Sequence, residues 1–490
     1  MKNSLVILLA LCLASFASEA REVKGKVTSG KKNLPRVIVT DGQNFTQTRR
    51  NGTFRLEICD SAEFVYIVTP SGYTADWSEG SPAFYRKAEG QSYFEFDLKD
   101  TGDPSSAYNI IAVGDPQPRS VGHFNEFAGV PLDDLRECAA SMTDPTVAVV
   151  LGDITFDKYY LMKNWKETVG KEAIPFYPVI GNHDHNRDFN DDNLASVTYE
   201  ESFGPADYAF FMGKDVVIIL DNILYHSRSG YELGYTERIL DWVRGLMKYV
   251  SKDADIYVAQ HSPLNGRHYE GMIINHDVLL DILKGHKVTF MSGHNHTNAV
   301  FEYAPGIMEH NVAAICGTWW DVYHCTDGTP RGYKVFSKEN GALTWHYKSI
   351  SRDRNFQYEV YMPGQTRLNP ECVVVNVWDY DPQWSIEWYE DGKFMGAMTQ
   401  VEEYSPLHTE SMRAKYEPTG KKPSDYRLTR KANHYFAAKP SETAQTVRIV
   451  VKDRFGNEWS EDFKVRLEKG LLLVYFFRKH NKYKKKSSAF

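Results

Sequence analysis

Apolar and polar positions follow different patterns along the chain, and these patterns divide it into three parts. Residues 21–103 contain short β-branched and aromatic runs separated by Gly, Pro, Asn and Asp, which is typical of a β-sandwich. From 104 to 350, continuous apolar runs alternate with helical patterns, as expected of parallel strands covered on both faces. Residues 351–468 return to a β-rich pattern, with Asp391-Gly392 as a predicted hairpin turn. We therefore predict an N-terminal β-sandwich domain, a central α/β domain and a C-terminal β-rich accessory domain.

Six apolar runs of the central region are interpreted as buried strands. They are Asn109–Val113, Thr146–Leu151, Ile174–Ile180, Val216–Leu220, Asp255–Ala259 and Val288–Met291. Between the fourth and the fifth run, apolar residues recur at helical spacing and predict a helix with one apolar stripe. The stripe consists of Ile239, Leu240, Val243, Leu246, Met247 and Val250. We expect it to pack on the core.

Five of these strands run directly into polar side chains that can bind metals. The side chains are Asp115 and Gln117, then Asp153, then Asn182 with His183 and Asp184, then His261, and finally His294 and His296. Ligands collect at the carboxyl ends of strands in open α/β sheets, so these loops should converge on one crevice. Glycine precedes the key residue in four of the five loops, which suits close backbone approach. A single Gly-Asp is commonly just a turn or a helix cap, but the ordered set predicts a metal site.

This order of motifs resembles the calcineurin-like metallophosphoesterase superfamily. That family has an Asp-containing motif, then Gly-Asp, Gly-Asn-His-Asp/Glu, a lone His and Gly-His-x-His, and the resemblance covers roughly 104–350. Cys316–Trp320 and Asp327–Tyr333 are similar to segments of secreted bacterial members that carry flanking domains. The resemblance implies an α/β fold, a four-layer αββα sandwich flanked by an N-terminal β-sandwich and a C-terminal β-rich domain.

The resemblance also implies two divalent metal ions, with Mn, Fe and Zn all compatible with the donors. One ion would be held by Asp115, Gln117, Asp153 and His296, and the other by Asp153, Asn182, His261 and His294. Asp153 would bridge the ions, because a carboxylate has two oxygens. Gln117 stands where many members have His, and its neutral amide oxygen is the weaker donor. The ions would clamp the phosphoryl oxygens and make a bound hydroxide available as the nucleophile.

His183 follows the ligand Asn182 and is implied to be the general acid that protonates the leaving group. Asp184 is assigned with it as a catalytic residue that orients His183, with capping of the next segment as the alternative. Asp157 lies four residues after Asp153, whereas the family pattern has a polar residue three positions on, where this chain has Phe156. Which residue holds the carboxylate of Asp153 in position is therefore left open.

The predicted activity is that of a phosphomonoesterase or phosphodiesterase whose ester carries a sugar, a lipid head group or a nucleotide. The alternative is a non-catalytic, secreted carbohydrate- or surface-binding protein on a degenerate scaffold. The sequence has no His-Glu-x-x-His and no Gly-x-Ser-x-Gly, which argues against a zinc peptidase and a serine hydrolase. Four residues are candidates for the wall of the substrate site: Trp319, Trp320, Tyr323 and Arg331. The alternative is that the two tryptophans pack the joint between the second and third domains. Four further histidines are interpreted as surface or substrate-loop residues: His123, His185, His268 and His324.

The net charge and the chain termini predict which partners the protein binds and where it is located. The net charge is −7 although the tail at 469–490 is basic, so the body is acidic and predicts no nucleic-acid binding. Residues 1–20 have the charged, apolar and small-residue order of a signal peptide, which predicts export to the periplasm or the outside. A lipid anchor is the lesser alternative, and no transmembrane segment is predicted.

Residues 22–100 are expected to supply no ligand and to fold separately. Whether Cys316 and Cys325 pair is open.

Overall fold

The computed structural model describes residues 21–465, apart from 103, 106, 228 and 229 and the side chain of residue 426. The predicted signal peptide and the basic tail at 469–490 lie outside the described residues, and both stay predictions. Within the described ranges, no helix is long and apolar enough to cross a membrane.

The N-terminal region forms two small sheets around an apolar core. In one sheet the order is Lys32–Asn33, Arg21–Ser29 and Thr53–Ile58, with Tyr93–Asp97 beside Arg21–Ser29. In the other the order is Phe45–Gln47, Ile38–Thr40, Phe64–Val68 and Tyr85–Lys87. A short ladder joins Tyr73–Thr74 to Lys99–Asp100. In strand Thr53–Ile58 every second side chain is buried, as the pleat of a one-sided strand requires.

The central region forms two mixed sheets that face each other. Sheet I has five strands, in the order Phe176–Pro178, Thr146–Val150, Ala107–Val113, Gly332–Glu339 and Ala342–Ser349. Sheet II has six, in the order Tyr208–Met212, Asp215–Ile219, Ile256–Ala259, Val288–Ser292, Ile307–Asn311 and Ala299–Ala304. All six predicted strands are present with small shifts in their bounds. The strands that precede the predicted site are divided between the two sheets, so the crevice lies where two sheets meet.

Strands of sheet I are buried because both of their faces are covered. Along Ala107–Val113, Ile110 and Ala112 enter the core between the sheets, whereas Ile111 and Val113 enter the core under the helices. The helices on the sheet I side are Val121–Ala128, Val130–Ala140, Leu161–Val169 and Asp192–Phe203. Those on the sheet II side are Glu237–Met247, which bears the predicted stripe, and His276–Ile282. The result is the expected four-layer αββα sandwich.

The core between the sheets continues into the N-terminal region without a boundary. The ring centroid of Phe84 lies 4.6 Å from that of Tyr208. The backbone N–H of Phe211 donates to the carbonyl of Thr69 at 2.9 Å. The expectation that residues 22–100 fold separately is therefore not supported, because the two regions share one apolar core.

The C-terminal region forms a second sandwich. One sheet has the order Tyr358–Tyr361, Val373–Val377, Lys431–Ala438 and Thr399–Tyr404, and the other Lys393–Ala397, Ser385–Glu390, Thr446–Lys452 and Glu458–Lys464. Helix Pro406–Tyr416 follows strand Thr399–Tyr404, and two 3₁₀ turns lie at Glu417–Thr419 and Asp425–Arg427. The predicted hairpin turn is confirmed, since Asp391 and Gly392 have φ angles of 45° and 84°. Cys316 and Cys325 are both buried and free in this structure.

Candidate metal centre

The loops after five strands meet at the ends of the two sheets. Asp153 and Asn182 come from sheet I, and His261 comes from sheet II. His261 Nε2 lies 3.0 Å from Asn182 Oδ1 and 3.4 Å from Asp153 Oδ2. Asp115, Asp153 and His261 offer ligand atoms that all lie within 4.8 Å of one another. Residues up to 146 positions apart are thus brought within reach of one small ion.

The two histidines of the last motif complete the cluster from the sheet II side. His294 Nδ1 lies 3.1 Å from His261 Nε2, and the backbone N–H of His294 donates to the carboxylate of Asp115 at 3.0 Å. His296 Nε2 lies 3.4 Å from Asp115 Oδ1. Together with Gln117, whose amide contacts the carboxylate of Asp153, all seven predicted ligands are gathered. Six are buried, and His294 is half-buried.

The chemistry of these side chains fits divalent cations. The set combines carboxylates, imidazoles and amide oxygens, which suits first-row divalent ions. Gln117 Oε1 and His294 Nε2 are buried, and neither has a hydrogen-bond partner among the described residues. Buried polar atoms without partners are rare in folded proteins, and a bound ion is one accepted explanation for them. The geometry therefore supports Gln117 as part of the site.

The charges of the cluster shift the pKa values of two of its histidines in opposite directions, and His294 is the one that is held neutral. Burial opposes the charged form of His261, but Asp153 outweighs it and raises the pKa of His261 to about 9. Burial, and then the charge of His261, lowers the pKa of His294 well below its usual value. A metal ion would displace the proton of His261 when it binds, because imidazole coordinates in its neutral form.

Backbone strain is concentrated at the ligands. Five of the seven have φ in the left-handed region: Asp115, Gln117, Asp153, His294 and His296, with φ of 44°, 41°, 53°, 68° and 51°. Such conformations cost on the order of 1–3 kcal/mol each for residues other than glycine and cluster at functional sites. The preceding glycines permit the close approach, since a Cβ at Gly181 would lie 2.3 Å from Asp153 Oδ1.

His183 lies beside the cluster and is held from three sides. Its backbone N–H donates to Asp153 Oδ1 at 2.9 Å. Its Nδ1 lies 2.9 Å from Asp157 Oδ1 and 3.1 Å from Arg187 Nη2. The ring of Phe156 stacks on the imidazole with centroids 3.9 Å apart. The residue that orients His183 is thus Asp157, and the departure from the family pattern at Phe156 supplies a stacking surface.

Asp184 does not orient His183, contrary to the expectation. Its carboxylate accepts three backbone N–H groups, from Ile154 at 3.0 Å, Thr155 at 2.9 Å and Gly181 at 3.0 Å. The side chain is fully buried. Asp184 therefore ties the loop after strand Thr146–Val150 to the loop after Phe176–Pro178, and it is a positioning residue.

The other histidines differ from the expectation in one case. His185 is fully buried, and its Nε2 lies 3.2 Å from Asp221 Oδ2, so it is neither a surface nor a substrate-loop residue. His268 lines the pocket described below. His123 stacks on Trp320, and His324 is half-buried.

The aromatic segment divides between the site and the fold. Trp319 lines the pocket and stacks on His296 with centroids 4.3 Å apart. The buried indole of Trp320 donates to the carbonyl of Pro116 at 2.9 Å. Arg331 lies over the ring of Tyr323 at 3.8 Å. Of the four residues considered, only Trp319 belongs to the described wall of the pocket.

A pocket opens onto the metal cluster and is lined in part by Gln117, Asp153 and His183. Besides the residues that the sequence analysis named, its wall contains Tyr231, Arg267, Asn295 and Arg430. Sequence reasoning missed this wall. Asn295 lies between His294 and His296, and its position in the motif did not indicate that it lines the pocket. Arg430 lies 162 residues from its contact His268, and no local pattern reports such a distance.

Three family models match the chain in the order of its three regions. The model described as the N terminal of Calcineurin-like phosphoesterase matches 21–101. The model described as Calcineurin-like phosphoesterase matches 108–298, and the one for its C terminal matches 309–459. The chain belongs to the calcineurin-like phosphoesterase superfamily. All seven candidate ligands and His183 lie inside the central match.

This superfamily membership makes the chain a metal-dependent hydrolase of phosphate esters. It confirms the resemblance drawn from the motifs and the fold class that the resemblance implied. The alternative, a non-catalytic binding protein on a degenerate scaffold, requires the loss of a ligand. Every ligand position instead holds a metal-competent side chain at the cluster, which gives that alternative no support.

Two solved structures are similar to parts of the chain. A dimetal phosphatase from Danio rerio is 16% identical, with a TM-score of 0.36, over 50% of this chain and 97% of that one. A 5'-nucleotidase from Candida albicans is 11% identical, with a TM-score of 0.30, over 50% of this chain and 52% of that one. A comparison with curated proteins finds no significant match.

Proposed function

We propose that this phosphoesterase uses a dinuclear metal centre to hydrolyse phosphate esters, with His183 as the general acid. One ion would be held by Asp115, Gln117, Asp153 and His296, and the other by Asp153, Asn182, His261 and His294. When bound, the ions would stabilise charge on the phosphoryl oxygens and activate water. The mixed donor set and the partnerless Gln117 Oε1 support this assignment.

The single observation that carries the role of His183 is its contact with Asp157. The carboxylate of Asp157 and the guanidinium of Arg187 both lie near Nδ1, at 2.9 Å and 3.1 Å, so they hold this edge of the ring and leave Nε2 for exchange with substrate. Because the ring lines the pocket without being among the gathered ligands, it can reach a departing oxygen there. The backbone bond from His183 to Asp153 fixes its position relative to the ions.

The proposed reaction consumes one water. A bond forms between the water oxygen and phosphorus, and the bond from phosphorus to the ester oxygen breaks. His183 donates its proton to the departing oxygen, which leaves as an alcohol. The proton lost by the water passes to solvent, from which His183 is reprotonated. Its contribution should be about 10²–10⁴-fold in rate, as is usual for general acids.

Two substitutions test this proposal. Asp153→Ala should empty the centre and abolish hydrolysis, because Asp153 would touch both ions. His183→Ala should keep both ions, as measured by metal analysis, and should slow an alkyl phosphate by about 10²–10⁴-fold. It should slow a nitrophenyl phosphate much less, because nitrophenolate leaves without a proton.

His226→Ala is the matched control, since His226 is exposed and contacts only Glu232 in the described structure. It should behave as the wild type. The role of His183 is refuted if its replacement slows both esters equally. The dinuclear centre is refuted if Asp153→Ala retains two ions and full activity.

A further inference from the structure

A cationic wall stands beside the metal cluster and is built by two domains. The loop at 263–271 of the central domain supplies Arg267 and His268, and the C-terminal domain supplies Arg430. Arg430 Nη1 donates to the imidazole of His268, 2.6 Å from Nδ1. In the described part of the chain, neither Arg267 nor Arg430 forms a salt bridge. Both guanidinium groups therefore keep their charge available in the pocket.

This wall is held at a set position relative to the ligands. The side chain of Asn295, which stands between His294 and His296, accepts the backbone N–H of His268 at 2.8 Å. Its amide also donates to the carbonyl of Gly266 at 3.2 Å. Asn295 thus joins the wall to the last metal motif directly.

A second anchor holds the same loop. The hydroxyl of Tyr269 donates to Asn311 Oδ1 at 2.6 Å. His268 and Tyr269 both have φ in the left-handed region, at 56° and 63°. A strained loop that is anchored on both sides has little freedom to move, so the wall is preorganised.

Like charges crowd together in this wall. Burial, and then Arg430 and Arg267, lowers the pKa of His268 to about 4, so its imidazole is a neutral acceptor near pH 7. Burial, and then Arg267, also lowers the pKa of Arg430. Glu270 acts in the opposite direction on both groups, but its effect is smaller. An anion between the two guanidinium groups would relieve this repulsion.

The reacting phosphate does not account for the two arginines, because the ions would already neutralise it. Aromatic rings lie against the same cluster, with Trp319 stacked on His296 and Tyr231 edge-on to His294 at 6.3 Å. Such surfaces suit an apolar spacer. We propose that Arg267 and Arg430 bind a second anionic group, a phosphate or a carboxylate, so that this enzyme selects phosphate esters whose leaving group is itself anionic. This selectivity rests on the proposed hydrolytic function.

Matched esters test the subsite with the full-length, metal-loaded protein. The esters are phenyl phosphate and its ring-substituted forms with a 3-carboxylate or a 3-phosphate. The wild type should favour the charged esters in kcat/KM. Arg430→Ala and Arg267→Ala should each reduce that preference about tenfold or more, as loss of a bond to a charged group predicts. The carboxylate and phosphate arms identify which anion the wall prefers.

Equilibrium binding gives a readout that does not depend on turnover. Calorimetry with 3-carboxyphenylphosphonate and phenylphosphonate should show tighter binding of the charged ligand, and Arg430→Ala should remove the difference. Arg430→Lys should restore part of it. Arg413→Ala is the matched control, because Arg413 is exposed and pairs only with Glu417 in the described structure. It should retain the wild-type preference.

The outcomes separate the two proposals. If Arg430→Ala weakens charged and neutral ligands equally, or the wild type shows no preference, the subsite is refuted. If the wild type hydrolyses no ester but binds the charged phosphonate through Arg430, the subsite stands and the proposed hydrolysis is refuted.

Discussion

The N-terminal sandwich shares one apolar core with the central sheets, whereas the C-terminal sandwich adds a buried ion pair and buried hydrogen bonds to its apolar contacts with them. On the N-terminal side, Phe84 packs on Tyr208 and Phe45 lies 6.4 Å from Trp242. On the C-terminal side, Lys334 Nζ lies 2.5 Å from Asp379 Oδ1, and both side chains are fully buried. The two flanking regions are similar in architecture and differ in the buried charged groups that hold them to the centre.

The difference matches what each region does at the site. Apolar contacts are non-directional, so they stabilise without defining a side chain's position. Buried hydrogen bonds and ion pairs are directional, and sites need their groups held within about 0.5 Å. Asn298 Nδ2 donates to the carbonyl of Trp378 at 2.7 Å, and Tyr435 donates to the carbonyl of Asp327 at 2.9 Å. The C-terminal region, which contributes Arg430 to the pocket, is attached by a buried ion pair and buried side-chain hydrogen bonds in addition to its apolar contacts.

Removal of the N-terminal region should have the largest effect. A chain that begins at residue 104 would expose the apolar surface around Tyr208, Phe210 and Trp242, which now belongs to the shared core. We expect it to aggregate or to lose its cooperative unfolding transition, as measured by circular dichroism and light scattering. A monomeric, cooperatively folded product that binds metal would show that the central region folds independently of the N-terminal region.

Lys334→Met breaks the C-terminal attachment at its centre. It leaves Asp379 buried without its cation, and removal of one partner from a buried pair costs on the order of 3–5 kcal/mol. We also expect the preference for charged esters to fall, because the docking of this region positions Arg430. The double variant Lys334→Met with Asp379→Leu should recover much of the stability, as urea unfolding can measure. If single and double variants are equally unstable, the pair is not coupled.

Phe84→Ala makes the corresponding break on the N-terminal side. Truncation of a buried Phe costs on the order of 3–5 kcal/mol through lost burial and a cavity. The kinetic constants for charged and neutral esters should stay as in the wild type at temperatures where the variant is folded. A change in ester preference would contradict the distinction between the two attachments.

Acid should weaken the C-terminal attachment more than the N-terminal one. His408 is fully buried, with Nε2 2.9 Å from Thr318 Oγ1, and burial lowers its pKa from 6.5 to about 4 although Asp327 opposes the shift. Since the unfolded chain binds the proton more tightly, this stability is complete above pH 6.5 and is lost as the pH falls towards 4. The full loss amounts to about 3 kcal/mol.

Hydrogen exchange at pH 7 and 4.5 can locate this effect. Exchange should rise in helix Pro406–Tyr416 and change little in strand Phe64–Val68. His408→Gln should flatten the pH dependence of stability. An equal rise in hydrogen exchange in both flanking regions at pH 4.5 would contradict the proposed difference between their attachments.

The metal motifs were predictable because they are local. Each is a buried strand followed by one or two polar residues, and strand patterns and turn residues are encoded over a few positions. Their order along the chain then indicated the family. The partner of His183 was less predictable, because Asp157 and Asp184 are both near in sequence. Only the backbone path decided that Asp184 turns inward to three amides while Asp157 reaches the imidazole.

The sequence by itself therefore predicted the three regions, six strands and one helix of the centre, and the seven candidate ligands with His183. The tertiary structure decided the continuous core of the first two regions and the meeting of two sheets at the metal centre. It also decided the wall in which Arg430 contacts His268. These features depend on contacts across long separations, which periodicity cannot report because it records only which face of an element is buried. Which surface covers that face is set by how whole domains pack.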